Sequence, residues 1–352
     1  MERKRFLIVG GGLAGSMLAA RLCLKEQEVV LLDDRDPHAA SAVAAGLFNV
    51  ITGRFGAKSW MADALVPELR NFLEIPVFQE LKSFVHDSLI YRPFKTAEEY
   101  NKWTARSEED AYKDWADFLS FPQYSDYIEN PLGGIMIKQC GWLDIPHFLE
   151  RLQQILVDQF QLEIQYVAFE EAGLDLGKMT YGDFGTFDEI IFCSGYRSKD
   201  ISLFSELPII PNKGEVLLLE IPDLRIPFVL SKKVYLIPQG DQKFICGSTY
   251  KNQFDDPHPT QSGKEEICFH LEKALKVPYK VLEQRSGIRP TTPNRRPVLG
   301  THPAHDHLHY FGGFGTKGVL LSPYFSKKMA EYVCGGKEDF LKEVSIGRYL
   351  SS

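Results

Sequence analysis

The sequence predicts an α/β fold in which a layer of parallel strands and helices is combined with a second, mainly antiparallel sheet. Three observations lead to this class. Residues 6–34 run through a strand, a glycine turn, a helix and a second strand. A second glycine-dense turn stands between a strand and a helix near residue 315. Short β-branched or aromatic runs at 215–220, 234–237 and 243–247 are separated by turns, a pattern typical of antiparallel strands.

Length and composition fit an ordinary globular protein of two domains. The chain has 352 residues, of which 44% are hydrophobic and 25% charged. Its formal net charge of −7 argues against a general basic surface for nucleic acid. The six cysteines are widely spaced, so we expect reduced thiols in a cytoplasmic protein. Beyond residue 24 no long apolar run follows, and no transmembrane segment is expected.

The opening apolar segment, FLIVGGGLAGSMLAARLCL at 6–24, has three possible interpretations: a signal peptide, a membrane span or the first turn of a nucleotide-binding fold. No small-residue cleavage site follows; the chain continues as KEQEVVLLDD, which is a second strand ending in acids. The glycines form G-x-G-x-x-G, and an acid stands about 20 residues further on, where it would bind a ribose hydroxyl. The helix N-terminus would face the phosphates. We therefore predict dinucleotide contacts from Gly10, Gly12, Leu13, Ala14, Gly15, Asp33 and Asp34, a structural glycine turn being the alternative.

Two later segments repeat the combination of a strand with a glycine turn. FDEIIFCSGYRS at 187–198 ends a strand in Ser194 and Gly195, where the backbone can pass close to a cofactor, although an ordinary turn would look the same. HYFGGFGTKGVLL at 309–321 enters a helix through a glycine turn that again points N–H groups at an electron-rich ligand. From this second turn we predict contacts by Gly313, Gly315, Thr316 and Gly318.

Taken together, these segments resemble the D-amino-acid oxidase, glycine oxidase and sarcosine oxidase family of FAD-dependent oxidoreductases. The resemblance extends to segments at 40–47, 133–148, 211–220, 234–250 and 286–300. In the first of these, ASAVAAGL, it implies cofactor contacts by Ser41, Ala45 and Gly46. Residues 56–130 have no confident match; their aromatic and charged residues look like a helical insertion.

The resemblance implies a glutathione-reductase-like, Rossmann-like FAD domain assembled from residues 1–55, 140–205 and 286–352. The substrate domain would comprise 56–139 and 206–285. FAD would be held non-covalently, since no cysteine lies near 286–300. The implied reaction is hydride transfer from the substrate α-carbon to flavin N5, giving an imine that water hydrolyses.

Three residues are the candidates for the catalytic site. Arg289, in GIRP, matches a family arginine that binds the substrate carboxylate, and its planar fork suits a bidentate pair. Tyr235, in VYLIP, matches a tyrosine that faces the same carboxylate, with a core aromatic as the alternative. Lys317, in GFGTKG, stands where sarcosine oxidases carry a lysine near the flavin C2 oxygen, and it would stabilise the anionic reduced flavin.

Some residues depart from the family pattern or favour a plain structural role. Phe314 stands where amine-oxidising relatives usually have histidine, and Asn294 replaces a more usual aspartate. Arg295 and Arg296 are expected to be solvated loop charges. The histidines of THPAHDHLHY at 301–310 are expected to form an ordinary loop and strand without acid or cysteine partners, so no metal is predicted.

The leading hypothesis is an enzyme that oxidises the CH–NH group of a small amino acid or secondary amine, with oxygen or a quinone as acceptor and a possible homo-oligomer. Two other enzymes remain open: one acting on a 2-hydroxyacid or polyol phosphate, and one acting on a glycine-like side chain of a tRNA uridine. No methyltransferase domain accompanies the chain, and its acidity disfavours the tRNA alternative. A flavin-binding protein without turnover is the alternative outside enzymes.

Overall fold

The structure, a computed structural model, describes residues 3–53, 56–337 and 340–350. Its helices in these ranges are α1 Leu13–Cys23, α2 Ala40–Val43, α3 Ala62–Glu74, α4 Ala97–Arg106, α5 Asp110–Lys113, α6 Ile145–Phe160, α7 Gln261–Glu272 and α8 Gly318–Val333. Short 3₁₀ helices lie at Pro76–Phe84, Glu171–Gly173, Gly182–Phe184, Gly195–Asp200, Ser202–Phe204 and Ile346–Arg348.

The strands of the described ranges fall into two large sheets and three small ones. They are β1 Arg5–Val9, β2 Glu28–Leu32, β3 Leu47–Phe48, β4 Ile51–Thr52, β5 Ala57–Lys58, β6 Val85–Asp87, β7 Ile90–Pro93, β8 Ala116–Leu119, β9 Gly134–Ile137, β10 Gly141–Leu143, β11 Glu163–Gln165, β12 Leu174–Asp175, β13 Thr180–Tyr181, β14 Glu189–Phe192, β15 Ile210–Glu220, β16 Val229–Lys232, β17 Val234–Pro238, β18 Lys243–Gly247, β19 Lys280–Thr291, β20 Val298–His302 and β21 His305–Gly312.

The first large sheet has the order β11-β2-β1-β14-β21-β20 in the described chain, and all its neighbours are parallel except β20 and β21. Its central strands are buried apolar runs, as expected of parallel strands covered on both faces. Helices α1 and α8 pack against each other within the apolar core on one face. The strands come from three separated parts of the chain, 5–32, 163–192 and 298–312.

The second large sheet has the order β19-β15-β18-β17-β16-β7-β9-β8 among the described residues, and only β16 and β7 run parallel. Helix α7 contributes Ile267 and Leu271 to a separate core under this sheet. The long strand β19 crosses residue 286, where the sequence placed a domain boundary. It therefore carries Arg289 into the antiparallel sheet.

The expectation of a helical insertion at 56–130 is wrong for part of that segment. Helices α3, α4 and α5 do form there, but β7 and β8 join the antiparallel sheet and β6 pairs with β10. These strands have three or four residues each, which is too short for a clear alternation of apolar and polar positions. Among the helices that the structure describes, none has both the length and the apolar character needed to cross a bilayer.

Candidate active site

A cleft of about 970 Å³ lies between the two large sheets. The residues that follow β1, β2 and β14 form one wall, and residues of β15, β17 and β19 form the other. The carboxyl ends of parallel strands are where open α/β sheets bind their ligands. The volume is at the upper end of the range for ligand pockets, so it has room for a large cofactor.

The glycine turn after β1 is shaped for close approach of a ligand to the backbone. Gly10 has φ +110°, and its N–H donates to the carbonyl of Leu32 at 2.8 Å. A Cβ at Gly15 would lie well inside 3.0 Å of the Gly10 carbonyl oxygen, so helix α1 can pack against the turn only through glycine. The turn is also held by Gln153, whose Nε2 donates to the Gly11 carbonyl at 3.0 Å. The N-terminus of α1 consequently faces the cleft, as anion binding requires.

The two acids after β2 have different surroundings. The Asp33 carboxylate lies against Gly11 and accepts a hydrogen bond from the Arg35 N–H at 3.1 Å. Burial, helped by the neighbouring charge of Asp34, raises the pKa of Asp33. Asp34 instead forms an ion pair with Arg197. Asp33 therefore retains acceptor capacity toward the cleft, whereas Asp34 is engaged by a cation.

Most of the cofactor residues predicted from the sequence line this one cleft, although they come from five separated segments. Ser41 accepts a hydrogen bond from the Leu13 N–H at 3.1 Å and so connects two of these segments. Gly15 and Gly313 do not line the cleft; Gly313 packs against Thr292. The predicted residues that do line it are Gly10, Gly12, Leu13, Ala14, Asp33, Asp34, Ser41, Ala45, Gly46, Ser194, Gly195, Gly315, Thr316 and Gly318.

Arg289 is a cation with neutral partners. Its Nη1 donates to Asn212 Oδ1 at 2.8 Å and to the Thr249 carbonyl at 3.3 Å, and its Nη2 donates to Ser248 Oγ at 2.7 Å. No carboxylate of the described chain lies within 4 Å of it. Burial lowers the pKa of the guanidinium, against the opposing effect of two nearby tyrosines. A buried cation without a counter-ion is costly, and an anionic ligand would offset that cost.

The guanidinium is held flat over the backbone of β15. A Cβ at Gly214 would lie well inside 3.0 Å of its nitrogen atoms, so the path of the Arg289 side chain depends on that glycine. Tyr235, on β17, and Tyr250 are the two tyrosines whose charges act on Arg289. The Tyr250 ring centre is 5.8 Å from the guanidinium carbon. Tyr235 is half-buried and lines the cleft.

Lys317 immediately precedes α8 and lines the cleft. Its Nζ donates to Ser59 Oγ at 3.2 Å. Burial lowers the pKa of this amine, and the nearby Arg296 and Arg295 lower it further. A cation at the N-terminus of a helix adds to the positive end of the helix dipole, and together they favour negative charge in the cleft.

The surroundings of Arg296 differ from the expectation of a solvated loop charge. Arg296 is not a freely solvated charge: it pairs with Glu343 at 3.2 Å and stacks over Trp60 at 4.2 Å from the ring centre. The expectation for Arg296 is therefore wrong, because Trp60 and the C-terminal residue Glu343 approach the loop. Arg295, by contrast, is exposed. Within the described residues no group of three or more histidines, cysteines or acids is placed to hold a metal.

Sequence reasoning missed the polar residues that orient the candidate catalytic groups. Asn212 is fully buried on β15, and Ser248 directly follows β18. Both are distant from Arg289 in sequence, and neither belongs to a motif with a chemical meaning of its own. The one available signal was the polar stretch Asn212-Lys213-Gly214-Glu215 inside an otherwise apolar strand.

Comparisons with known proteins agree with this geometry. The family model DAO, described as FAD dependent oxidoreductase, matches residues 5–332. A bifunctional ThiO/ThiG protein of Trichormus variabilis is 24% identical over 95% of this chain and 53% of its own length. The chain thus spans about half of that relative. Glycine oxidase of Pseudomonas putida is 25% identical, with 95% of each chain covered.

A solved structure supports the fold independently. Glycine oxidase from Geobacillus kaustophilus superposes with a TM-score of 0.81 at 19% identity, covering 99% of this chain and 100% of the other. The residues of the cleft fit the cofactor that the family requires: glycines leave the turn open, Asp33 offers an acceptor for a ribose hydroxyl, and the α1 N-terminus can meet a pyrophosphate. The predicted resemblance is confirmed, and the chain belongs to the DAO family of FAD-dependent oxidoreductases.

Proposed function

We propose that this protein oxidises the CH–NH group of a small amino acid or secondary amine that carries a free carboxylate. The observation that carries the proposal is Arg289, a largely buried cation whose hydrogen-bond partners are neutral and which faces the cleft. A carboxylate is the ligand that best matches its planar, bidentate geometry. FAD, when bound, supplies the acceptor for the hydride, and water hydrolyses the resulting substrate imine.

The chain's own residues orient the substrate. Arg289 fixes one end through its carboxylate, and Asn212 and Ser248 hold the guanidinium so that little conformational freedom is lost on binding. Tyr235 adds a phenol that can donate to the same carboxylate. Orientation of this kind lowers the barrier because the reacting C–H bond is already aimed when the substrate binds.

The charge distribution along the cleft is uneven and consistent with this assignment. The acids that line it are Asp33, Asp34, Asp36, Glu171 and Asp200, which all belong to segments that follow strands of the parallel sheet. The wall formed by the antiparallel sheet contributes cations and hydroxyls to the lining among the described residues. No carboxylate base is available on that wall, so we infer that the substrate amine must arrive uncharged, as hydride transfer requires.

We propose corresponding roles for the remaining predicted residues. The residues of 1–55, 140–205 and 286–352 would hold FAD, while 56–139 and 206–285 would form most of the substrate side, with Arg289 of β19 joining it. Lys317 would stabilise negative charge on the reduced cofactor. Oxygen or a quinone would serve as the final acceptor, in the cytoplasm.

An anaerobic bleaching screen tests the proposal. Purified holoenzyme is mixed without oxygen with D- and L-amino acids and N-methylated amino acids, and the visible flavin absorbance is followed. We expect bleaching by one or more amines, and an Arg289→Met variant should lose about 10²- to 10⁴-fold in kcat/KM, the cost of two charge-assisted hydrogen bonds. Arg285→Met is the matched control, because Arg285 lies on the same strand but is exposed and paired with Glu283.

The same screen separates the other candidates. Bleaching by 2-hydroxyacids or polyol phosphates, and not by amines, would replace the amine with a hydroxyl substrate. Bleaching only by a tRNA carrying a glycine-like uridine side chain would assign the tRNA activity. A yellow protein that no compound bleaches would overturn the enzymatic proposal in favour of a binding protein.

A further inference from the structure

We propose that the substrate carries a second carboxylate, which is bound by Lys95 and Lys233 while its first carboxylate is bound by Arg289. This inference rests on the proposed function and makes it more specific. The substrate class would be an acidic amino acid, or a secondary amine with two carboxylate arms, rather than a simple monocarboxylate.

Topology places the two lysines together at one end of the cleft. Strands β7 and β16 are parallel neighbours, with Leu230 opposite Tyr91. Lys95 lies four residues beyond Tyr91, and Lys233 lies three residues beyond Leu230, so both follow the same ends of adjacent strands. Both residues line the cleft that Arg289 and Tyr235 also line.

Neither lysine has an acidic partner in the described part of the chain. The carboxylate that acts on the Lys95 amine belongs to Glu99, and its two oxygens already have partners: Oε1 accepts from Arg92 Nη2 at 2.7 Å, and Oε2 accepts from the Lys95 N–H at 3.0 Å. Burial lowers the pKa of the Lys95 amine, and the charges of Arg92 and Lys233 lower it further while Glu99 opposes them. The surroundings of the two lysines therefore carry an excess of positive charge.

The other charged groups around the pair do not neutralise it. Lys232 points away and donates to the backbone carbonyls of Glu129 and Lys273. Burial lowers the pKa of His270, on α7, and the charges of Lys233 and Lys95 lower it further, so this histidine lies near the pair. The neighbouring acids have other partners: Glu99 accepts from Arg92, and Glu266 acts on His270. An anion entering the cleft would thus meet the two lysine cations on this side.

The spacing from Arg289 suits one small molecule. Lys233 directly precedes β17, two residues before Tyr235, and Tyr235 pairs with Gly247 of β18. The Arg289 guanidinium reaches this end of β18, because its Nη2 donates to Oγ of Ser248, the residue after Gly247. Two residues along the chain and one step across the sheet put the backbone of Lys233 on the order of 8 Å from that of Gly247, next to the residue that the guanidinium contacts. Lysine side chains can shorten that distance, so a five-carbon dicarboxylate can reach both positions.

Two exposed lysines can be ordinary solvated side chains or a binding site for a carboxylate, and binding measurements distinguish these two possibilities. The probes are glutarate and valerate, which have the same number of carbons and differ in the second carboxylate. Their dissociation constants are measured on FAD-loaded protein from the perturbation of the flavin spectrum, without any turnover. Exposed ion pairs contribute modestly, so we expect glutarate to bind about fivefold more tightly than valerate.

The double variant Lys95→Gln/Lys233→Gln should abolish this preference and leave valerate binding unchanged. Lys199→Gln/Lys280→Gln removes the same charge from exposed positions outside the cleft lining and should keep the preference. A preference that is absent from the wild type, or that survives in the first variant, overturns the second site.

Failure of the proposed function gives a different pattern. If Arg289 does not bind a carboxylate, Arg289→Met will bind valerate as the wild type does. The monocarboxylate therefore reports on Arg289, and the difference between the two probes reports on the lysines.

Discussion

Gly214→Ala tests whether the position of the Arg289 guanidinium, and not merely its charge, determines carboxylate binding. The added Cβ would lie well inside 3.0 Å of the guanidinium nitrogens, and the flexible end of the arginine must move to make room. The backbone at residue 214 needs no left-handed conformation, so alanine fits the strand itself. We therefore expect the free energy of unfolding to change by no more than about 1 kcal/mol.

The effect on binding should be much larger. A displaced guanidinium loses its alignment with Asn212 and Ser248 and presents only part of its fork to a ligand carboxylate. A hydrogen bond between charged groups contributes about 1.5–3 kcal/mol, which corresponds to a loss of about 10- to 150-fold in affinity. The same factor should appear in kcat/KM for any amine that bleaches the flavin.

The assay is a titration of FAD-loaded protein with valerate, followed by the flavin spectrum, together with thermal unfolding and FAD content. Gly177→Ala is the matched control, since that glycine also lacks a left-handed φ and an added Cβ there would make only an ordinary contact with Asp175. A Gly214→Ala protein that retains FAD and binds valerate like the wild type would refute the role assigned to the guanidinium.

Three further substitutions test other parts of the site and fold. Asn212→Asp places a carboxylate where Oδ1 is now 2.8 Å from Arg289 Nη1, so it should compete with the substrate and weaken valerate binding about tenfold in the same titration. Lys317→Met removes a cation from the cleft and should make the flavin midpoint potential more negative by about 30 mV in spectroelectrochemistry, the equivalent of about 1.4 kcal/mol. Glu189→Gln should flatten the acid limb of stability in urea unfolding from about pH 5.5 downward, where a carboxylate of lowered pKa loses its stabilising contribution.

The sign of the Glu189 effect follows from its surroundings. Burial by itself would raise the pKa of Glu189, but hydrogen bonds with His309 and Lys4 outweigh it and hold the pKa below the ordinary value of 4.5. The carboxylate therefore stabilises the fold above that value, and its contribution is lost as the pH falls through the lower pKa of the folded state. An acid limb as steep in Glu189→Gln as in the wild type would contradict this assignment.

The other two predictions have their own controls. Lys327→Met changes a lysine further along α8 that pairs with Glu68, and it should leave the midpoint potential unchanged. An unchanged potential in Lys317→Met would show that this lysine does not act on the reduced cofactor. For Asn212→Asp, unaltered valerate affinity would mean that residue 212 has no influence on the ligand carboxylate.

The parts of the fold that could be predicted from the sequence are those whose signals are local. At the N-terminal turn, three glycines and Asp33 fall within one short segment, and each has a separate physical requirement there. The apolar runs of β1, β2 and β14 likewise identify buried parallel strands without reference to the rest of the chain.

The surroundings of Arg289 could not be predicted in the same way. Asn212 and Ser248 lie 77 and 41 residues away in the sequence, and only the register of β15 with β18 and β19 brings them together. Gly214 matters because a side chain from the neighbouring strand crosses it, and a sequence contains no sign of such a crossing. Short strands such as β7 and β8 could not be predicted for a related reason. They are defined by their pairing with β9 and not by a local pattern of apolar residues.

The electrostatic fields of helices α1 and α8 limit how far the Lys317→Met substitution can shift the flavin midpoint potential. Helices α1 and α8 both begin at the cleft, so the positive ends of two helix dipoles add to the charges of Lys317 and Arg289. Negative charge is thus stabilised from several directions, and removal of one amine leaves the other sources in place. A shift of about 30 mV follows from this sharing, whereas a shift several times larger would mean that Lys317 acts nearly alone.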